Sequence, residues 1–207
     1  HDLAAEWVRF QRLKEISHDI ESWSPLAENP LWTGSLRLLG QFLLLQRTEA
    51  SNEWIEAFTQ LERQGATLAA DILLDSVFLD PQATKFLFEN KTFLFEKNGK
   101  YLQRLLQRFL QVATVPDVPS GIAEIDQDLE LYMEAQHRFP ILAHWPPMAY
   151  FLHQNIELVA DLVSPIVAQT CATWCSKMPR ELSDGSAMPW RREFAESALA
   201  TARALQV

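Results

Sequence analysis

Cys171 and Cys175 stand four apart, and His144 and His153 precede them, so these four residues have the types a metal ion would need. A zinc site requires four nitrogen or sulfur ligands closed into a tetrahedron, usually in short paired spacings. Here the two thiols fall on the apolar side of an expected helix, near Ile166, Val167, Trp174 and Met178. Free cysteine in such company reads as a small buried hydrophobe. A disulfide between the pair is disfavoured, because a helix holds their Cα atoms near the limit of disulfide geometry and aims the side chains poorly. With no disulfide framework, a reducing cytoplasm is the expected setting.

Paired carboxylates are the second chemistry-capable pattern. Asp126 with Glu130, and Glu130 with Glu134, share a helical face at i and i+4. General acid–base work would need one of them in an apolar cleft, so that their pKa values separate. The segment Ile122–Ala135 carries these acids, with Glu124 and Asp128, and no Lys or Arg. It reads as a solvated face, or as one that docks a basic partner. His137, His144 and His153 could include a base, yet no nucleophile is suggested beside any of them. His144, next to Trp145, fits a packed helix junction better. No catalytic, cofactor-binding or metal-ligating residue is therefore assigned. The candidate interaction surface comprises Glu124, Asp126, Asp128, Glu130, His144 and Trp145, since aromatic anchors flanked by charge suit protein contacts.

Nucleotide motifs are absent. Gly99-Lys100 is followed by Tyr101 and lacks the upstream glycine of a P-loop, and no Gly-x-Gly-x-x-Gly, His-Glu-x-x-His or Gly-x-Ser-x-Gly occurs. A net charge of −9 repels phosphate backbones, so nucleic-acid binding is disfavoured without a local basic patch. Lys97, Lys100, Arg104 and Arg108 come nearest, and they read as the wet stripe of an amphipathic helix. No apolar run reaches the roughly 18 residues that would cross a bilayer. The segment His1 to Ile20 reads as a charged amphipathic helix rather than a signal peptide. The chain starts at His1 without Met, and the expectation is a processed product or a portion of a longer chain. The sequon Asn90-Lys91-Thr92 would matter only in a secreted protein.

The elements that position these residues are helices. Hydrophobic residues make up 48% of the chain, enough for a sizeable core, while 12 Phe and 7 Trp against only 6 Gly favour packed helices over a turn-rich sandwich. Amphipathic spacing predicts helices over Asp2–Glu21, Leu31–Gln46, Glu53–Arg63, Leu68–Leu79 and Lys100–Ala113. In the first, Leu3, Trp7, Phe10, Leu13 and Ile16 form the expected inward face. FLFENKTFLF at Phe86–Phe95 could be a helix end and loop or a small hairpin, and the favoured reading is helix to about Glu89 followed by an irregular buried turn. Pro116, Pro119 and Gly121 mark the expected boundary between subdomains at 1–115 and 122–207. Beyond it, Pro146-Pro147 and Ser164-Pro165 suit first helical turns. They begin helices over Pro147–Leu162, interrupted near Asn155, and Pro165–Met178, before a last one over Trp190–Leu205. About ten helical segments with short breaks describe an all-α protein. Stacked helical hairpins, solenoid-like, or an irregular multi-helix bundle both fit, and no strict repeat period is present.

Two stretches, Leu73–Pro119 and Phe139–Trp174, resemble large bacterial proteins that carry a STAND-type P-loop ATPase followed by long helical regions, many linked to antiviral defence. The resemblance rests on the Leu/Arg-rich helix ending in Ala113-Thr114-Val115-Pro116, and on Trp145-Pro146 preceding Phe151-Leu152. It implies a helical scaffold or sensor portion from outside the ATPase core, and carries over no catalytic residue. The expectation is thus a non-enzymatic module without cofactor, which recognises a protein partner or holds neighbouring domains of a larger chain. Two alternatives stand beside it: a helical enzyme built from 122–135 and the His137–His153 region, and a helical DNA-binding domain.

Overall fold

Helices in this chain begin and end where side chains can close the hydrogen bonds that helix termini leave open. The computed structural model describes residues 3–48, 51–116, 127–129, 131, 138–141, 143–159, 162 and 165–166. Among them, in chain order, lie α1 (Leu3–Glu15), α2 (Ile20–Trp23), α3 (Thr33–Leu45), α4 (Glu53–Gln64), α5 (Thr67–Leu79), α6 (Ala83–Glu89), α7 (Lys91–Val112) and α8 (Trp145–Gln154). Short 3-10 turns occupy Ser24–Glu28 and Pro30–Trp32. Strands β1 (Thr114–Pro116) and β2 (Arg138–Pro140) form one two-stranded antiparallel ribbon. The protein is all-α.

The helix α4 shows how directly local chemistry sets the boundaries. Asn52 accepts from the Ile55 N–H at its start, and Gly65 ends it at φ 72°, a left-handed conformation that glycine adopts without Cβ strain. The next helix, α5, carries almost no polar face and is buried from Ile72 to Phe78. It is the centre of the first compact unit, His1–Phe93, with α3, α4 and α6 packed around it as an irregular bundle. Asp80, held extended before Pro81, stops it.

Two contacts fix α3 against α5. Arg37 donates through Nε and Nη2 to the fully buried Asp75 carboxylate, at 3.1 and 2.9 Å. One turn on, Gly40 faces Ser76 so closely that a Cβ there would lie 2.5 Å from Ser76 Oγ. That hydroxyl cannot swing aside at no cost, since it donates to the Leu73 carbonyl and receives the Trp54 indole N–H. Gly40→Ala is therefore expected to destabilise the protein by about 1–3 kcal/mol, despite the better helix propensity of alanine. Gly34 supplies the control. A Cβ there would meet only the movable end of the Glu6 side chain. In urea titrations Gly34→Ala should stay near wild type while Gly40→Ala falls well below it.

The segment Phe86–Phe95 is helix, turn and helix, not a hairpin. Asn90 is the buried turn: its Nδ2 donates to the Phe86 carbonyl at 2.8 Å, and its Oδ1 accepts from Asn52 Nδ2 at 2.9 Å. α7 is interrupted at Lys97, Asn98 and Gly99, which all take left-handed conformations. The break expected at Asn98-Gly99 thus starts two residues earlier, at Glu96, which is extended (φ −60°, ψ 161°). Asn and Gly tolerate that region, whereas lysine seldom does. Lys97 donates from Nζ to the Tyr101 hydroxyl at 2.5 Å.

The second compact unit is Leu94–Val207. Residues after the kink of α7 bury Tyr101, Leu102, Leu105, Leu106 and Phe109. Beyond its last turn, β1 pairs with β2 in the register Thr114↔Pro140 and Pro116↔Arg138. Both prolines sit at strand ends, where a missing N–H is tolerated. Arg138 then turns back onto the helix, donating to Thr114 Oγ1 and to the Gln111 and Thr114 carbonyls. A cation there also suits the negative end of the helix. α8 begins with Pro at its first turn, as expected, and stops at Asn155, whose amide donates to the Phe151 carbonyl.

Candidate interaction surface and cavity

The acidic segment falls mostly outside the described residues: Glu124, Asp126, Glu130 and Glu134 lie there, as do His137, Cys171 and Cys175. Of that surface, Asp128 is described and exposed, beside exposed Leu129 and Leu131. His144 occupies the N-cap position of α8 and is half-buried, without a side-chain capping bond. Trp145 corrects the expectation of a surface anchor. It is 1% exposed, its ring centroid is 4.7 Å from that of Phe109, and its indole N–H donates to the Ala113 carbonyl at 2.7 Å. An indole at the first turn of α8 satisfies the end of α7, which leaves nothing of it for a partner. His153, at the end of α8, is half-buried. Among the described residues, no group of three or more His, Cys, Asp or Glu is placed to hold a metal ion. No described helix is long and apolar enough to cross a membrane.

Exposed apolar side chains collect instead on α1. Leu3, Trp7 and Val8 are 73, 56 and 68% exposed, although Leu3 and Trp7 belong to the face expected inward. The stripe that meets α3 is Glu6, Phe10 and Leu13. Ser35 donates its hydroxyl to the Glu6 carbonyl at 3.0 Å, the Glu6 carboxylate lies over Gly34, and Phe10 meets Phe42 edge-on at 6.3 Å. With Glu6, Phe10 and Leu13 turned to α3, Leu3 and Trp7 point outward. The exposed face then runs into Arg12, Lys14 and Glu15, so the apolar patch is confined to the first two turns.

The turn after α1 borders a cavity of about 370 Å³. Ile20 and Leu43 line it from α2 and α3, and Glu53, Glu56, Ala57 and Gln60 line it from α4. Ser17 and His18 complete its edge. Next to them, Asp19 caps α2. The Ser22 hydroxyl donates to its carboxylate at 2.5 Å and, with the Ser22 N–H, holds that carboxyl below the ordinary carboxylate range. Nothing in the spacing of residues 17–20 and 53–60 signalled this cavity, which exists only once α2, α3 and α4 are packed.

Comparison with protein-family models gives no match, and comparisons with curated proteins and with solved structures give none either.

Proposed function

We propose that this chain is a non-catalytic helical recognition module that binds a protein partner or a neighbouring domain through the outer face of α1. The exposed Leu3, Trp7 and Val8 carry this reading. A scattered exposed leucine is ordinary on a protein surface, but a tryptophan with two aliphatic neighbours on one helix is the type of residue that dominates binding energies. The resemblance of Leu73–Pro119 and Phe139–Trp174 to helical regions of STAND-type ATPases supports a place beside such a core, in a larger bacterial protein of the cytoplasm.

The test is site-specific photocrosslinking in cells from position 8, with position 63 on α4 as an exposed polar control. A single defined product from position 8, abolished by Trp7→Glu, is the expected result. Loss of a tryptophan anchor should weaken the contact by about 2 kcal/mol, roughly 30-fold in Kd. Equal, diffuse crosslinking from both positions would overturn the proposal. Trp7→Glu should lower the thermal midpoint only by the loss of the Trp7 ring's contact with Phe10, 5.4 Å between centroids, and leave the chain folded.

A further inference from the structure

Four of the five asparagines in the chain are held or shielded. Asn29 accepts from the Leu31 N–H and precedes Pro30, whose nitrogen has no hydrogen to lose. Asn52 caps α4 through Oδ1 and donates from Nδ2 to the buried Asn90. Asn90 and Asn155 are buried, and each donates from Nδ2 to a carbonyl one turn back. Asn98 differs from all of them. It is exposed, its side chain makes no hydrogen bond to any described residue, and the next residue is Gly99. It is also the middle of three consecutive left-handed residues, with φ of 50, 58 and 73° at Lys97, Asn98 and Gly99. Left-handed backbone is strained at Lys97, so this turn opens at lower cost than the regular helix on either side.

We propose that Asn98 is a site of self-modification in the folded chain, where the main-chain nitrogen of Gly99 displaces the side-chain amide. The Gly99 nitrogen gives up its proton and bonds to Asn98 Cγ, the Cγ–Nδ2 bond breaks, and ammonia leaves with the proton. Water then opens the cyclic imide. Opening at Cγ restores the main chain with aspartate at 98, while opening at the main-chain carbonyl carbon leaves the chain running through Cβ as isoaspartate. Glycine is the residue that allows the approach, since no Cβ crowds its nitrogen. Closing the ring turns ψ of Asn98 away from its native 40°, so the turn must open first. Gly99 is buried, which keeps the step slower than in an unfolded chain. Either product adds a negative charge between Lys97 and Lys100. The iso product also inserts one main-chain carbon between Leu94 and Tyr101, both buried, and so changes the phase of α7 across its kink. No partner is needed, so this modification is independent of the α1 reading.

Timed incubation of the full chain, folded and in urea, followed by peptide mapping in a mass spectrometer, tests it at each asparagine. In the folded chain Asn98 should convert at least about tenfold faster than any of the other four, the ratio that about 1.4 kcal/mol of difference in opening free energy gives. Releasing a buried, bonded amide costs at least that much. Aspartate and isoaspartate should both accumulate at 98, faster at mildly alkaline than at neutral pH, because the attacking nitrogen must be deprotonated. The acidic isoform that builds up on charge-separating electrophoresis should be missing from Asn98→Gln, whose longer side chain closes the ring far less readily. Asn98 staying intact in the folded chain while it converts in urea would overturn the proposal. So would conversion no faster than at Asn29, Asn52, Asn90 or Asn155, a rate indifferent to pH, or an acidic isoform that persists in Asn98→Gln.

Discussion

Trp54→Ala is expected to destabilise the first unit by about 3–5 kcal/mol, as a fully buried aromatic replaced by a methyl group leaves both lost transfer energy and a cavity. The side chain stacks on Phe58 at 5.5 Å between centroids and meets Phe93 edge-on at 5.9 Å, and Phe58 meets Phe93 at 5.5 Å. Removing it takes one member from a mutually packed triplet, so its two neighbours lose contacts as well. Its indole N–H also lies 3.3 Å from both the Leu73 carbonyl and Ser76 Oγ, beside the tight contact of Gly40 with Ser76. Trp54→Phe separates the two contributions. It keeps most of the packing and should cost about 1–2 kcal/mol for the lost donor. Urea unfolding checks both: the midpoints should fall in the order wild type, Trp54→Phe, Trp54→Ala, with m unchanged. Equal midpoints for the two variants would mean that the ring contributes little.

Arg37→Ala is expected to cost about 3 kcal/mol or more, because it strips two charge-assisted hydrogen bonds from a carboxylate with no access to water. The two partners are not equivalent. The Arg37 side chain is 29% exposed, whereas Asp75 is fully enclosed, so the penalty falls on whichever change leaves the acid behind. Asp75 makes further interactions, which places the figure near the lower end of what a broken buried pair costs. Replacing both residues, Arg37→Met with Asp75→Leu, should recover most of the loss by exchanging the ion pair for apolar packing. Thermal unfolding of the two variants at one pH decides it. A double variant as unstable as Arg37→Ala would show that the pair contributes more than charge compensation.

Many of the helix boundaries can be read from local rules. Asn52 and Gly65 bracket α4, Asp80-Pro81 ends α5, and the interruption at Asn155 follows from an amide that folds back on Phe151. What escapes such reading depends on partners distant in the chain. The inward face of α1 was legible as a helix but not in its rotation, since that is set by contacts with Ser35 and Phe42 on another helix. Strands β1 and β2 are three residues each, too short for an alternating pattern, and they pair across a long intervening segment. Trp145 looked available because its neighbours are prolines and a histidine, yet its N–H is used by a carbonyl 32 residues earlier. The interaction surface was accordingly expected on the acidic segment and around Trp145, whereas exposed apolar residues gather on α1. Lys97 in a left-handed conformation had no signal in residue type at all, as its backbone follows Asn98 and Gly99 through the kink.

Asn90 has a consequence for the chain's history. Its amide nitrogen points at Phe86 and its oxygen is taken by Asn52, so the finished protein presents no nucleophile at that sequon to any transferase. A sugar could be attached only while α6 had not yet closed on the start of α4. Glycan occupancy at Asn90, in a host that routes the chain through a glycosylating compartment, would therefore act as a stopwatch. It would record how long the newborn segment stayed open before these two helices met.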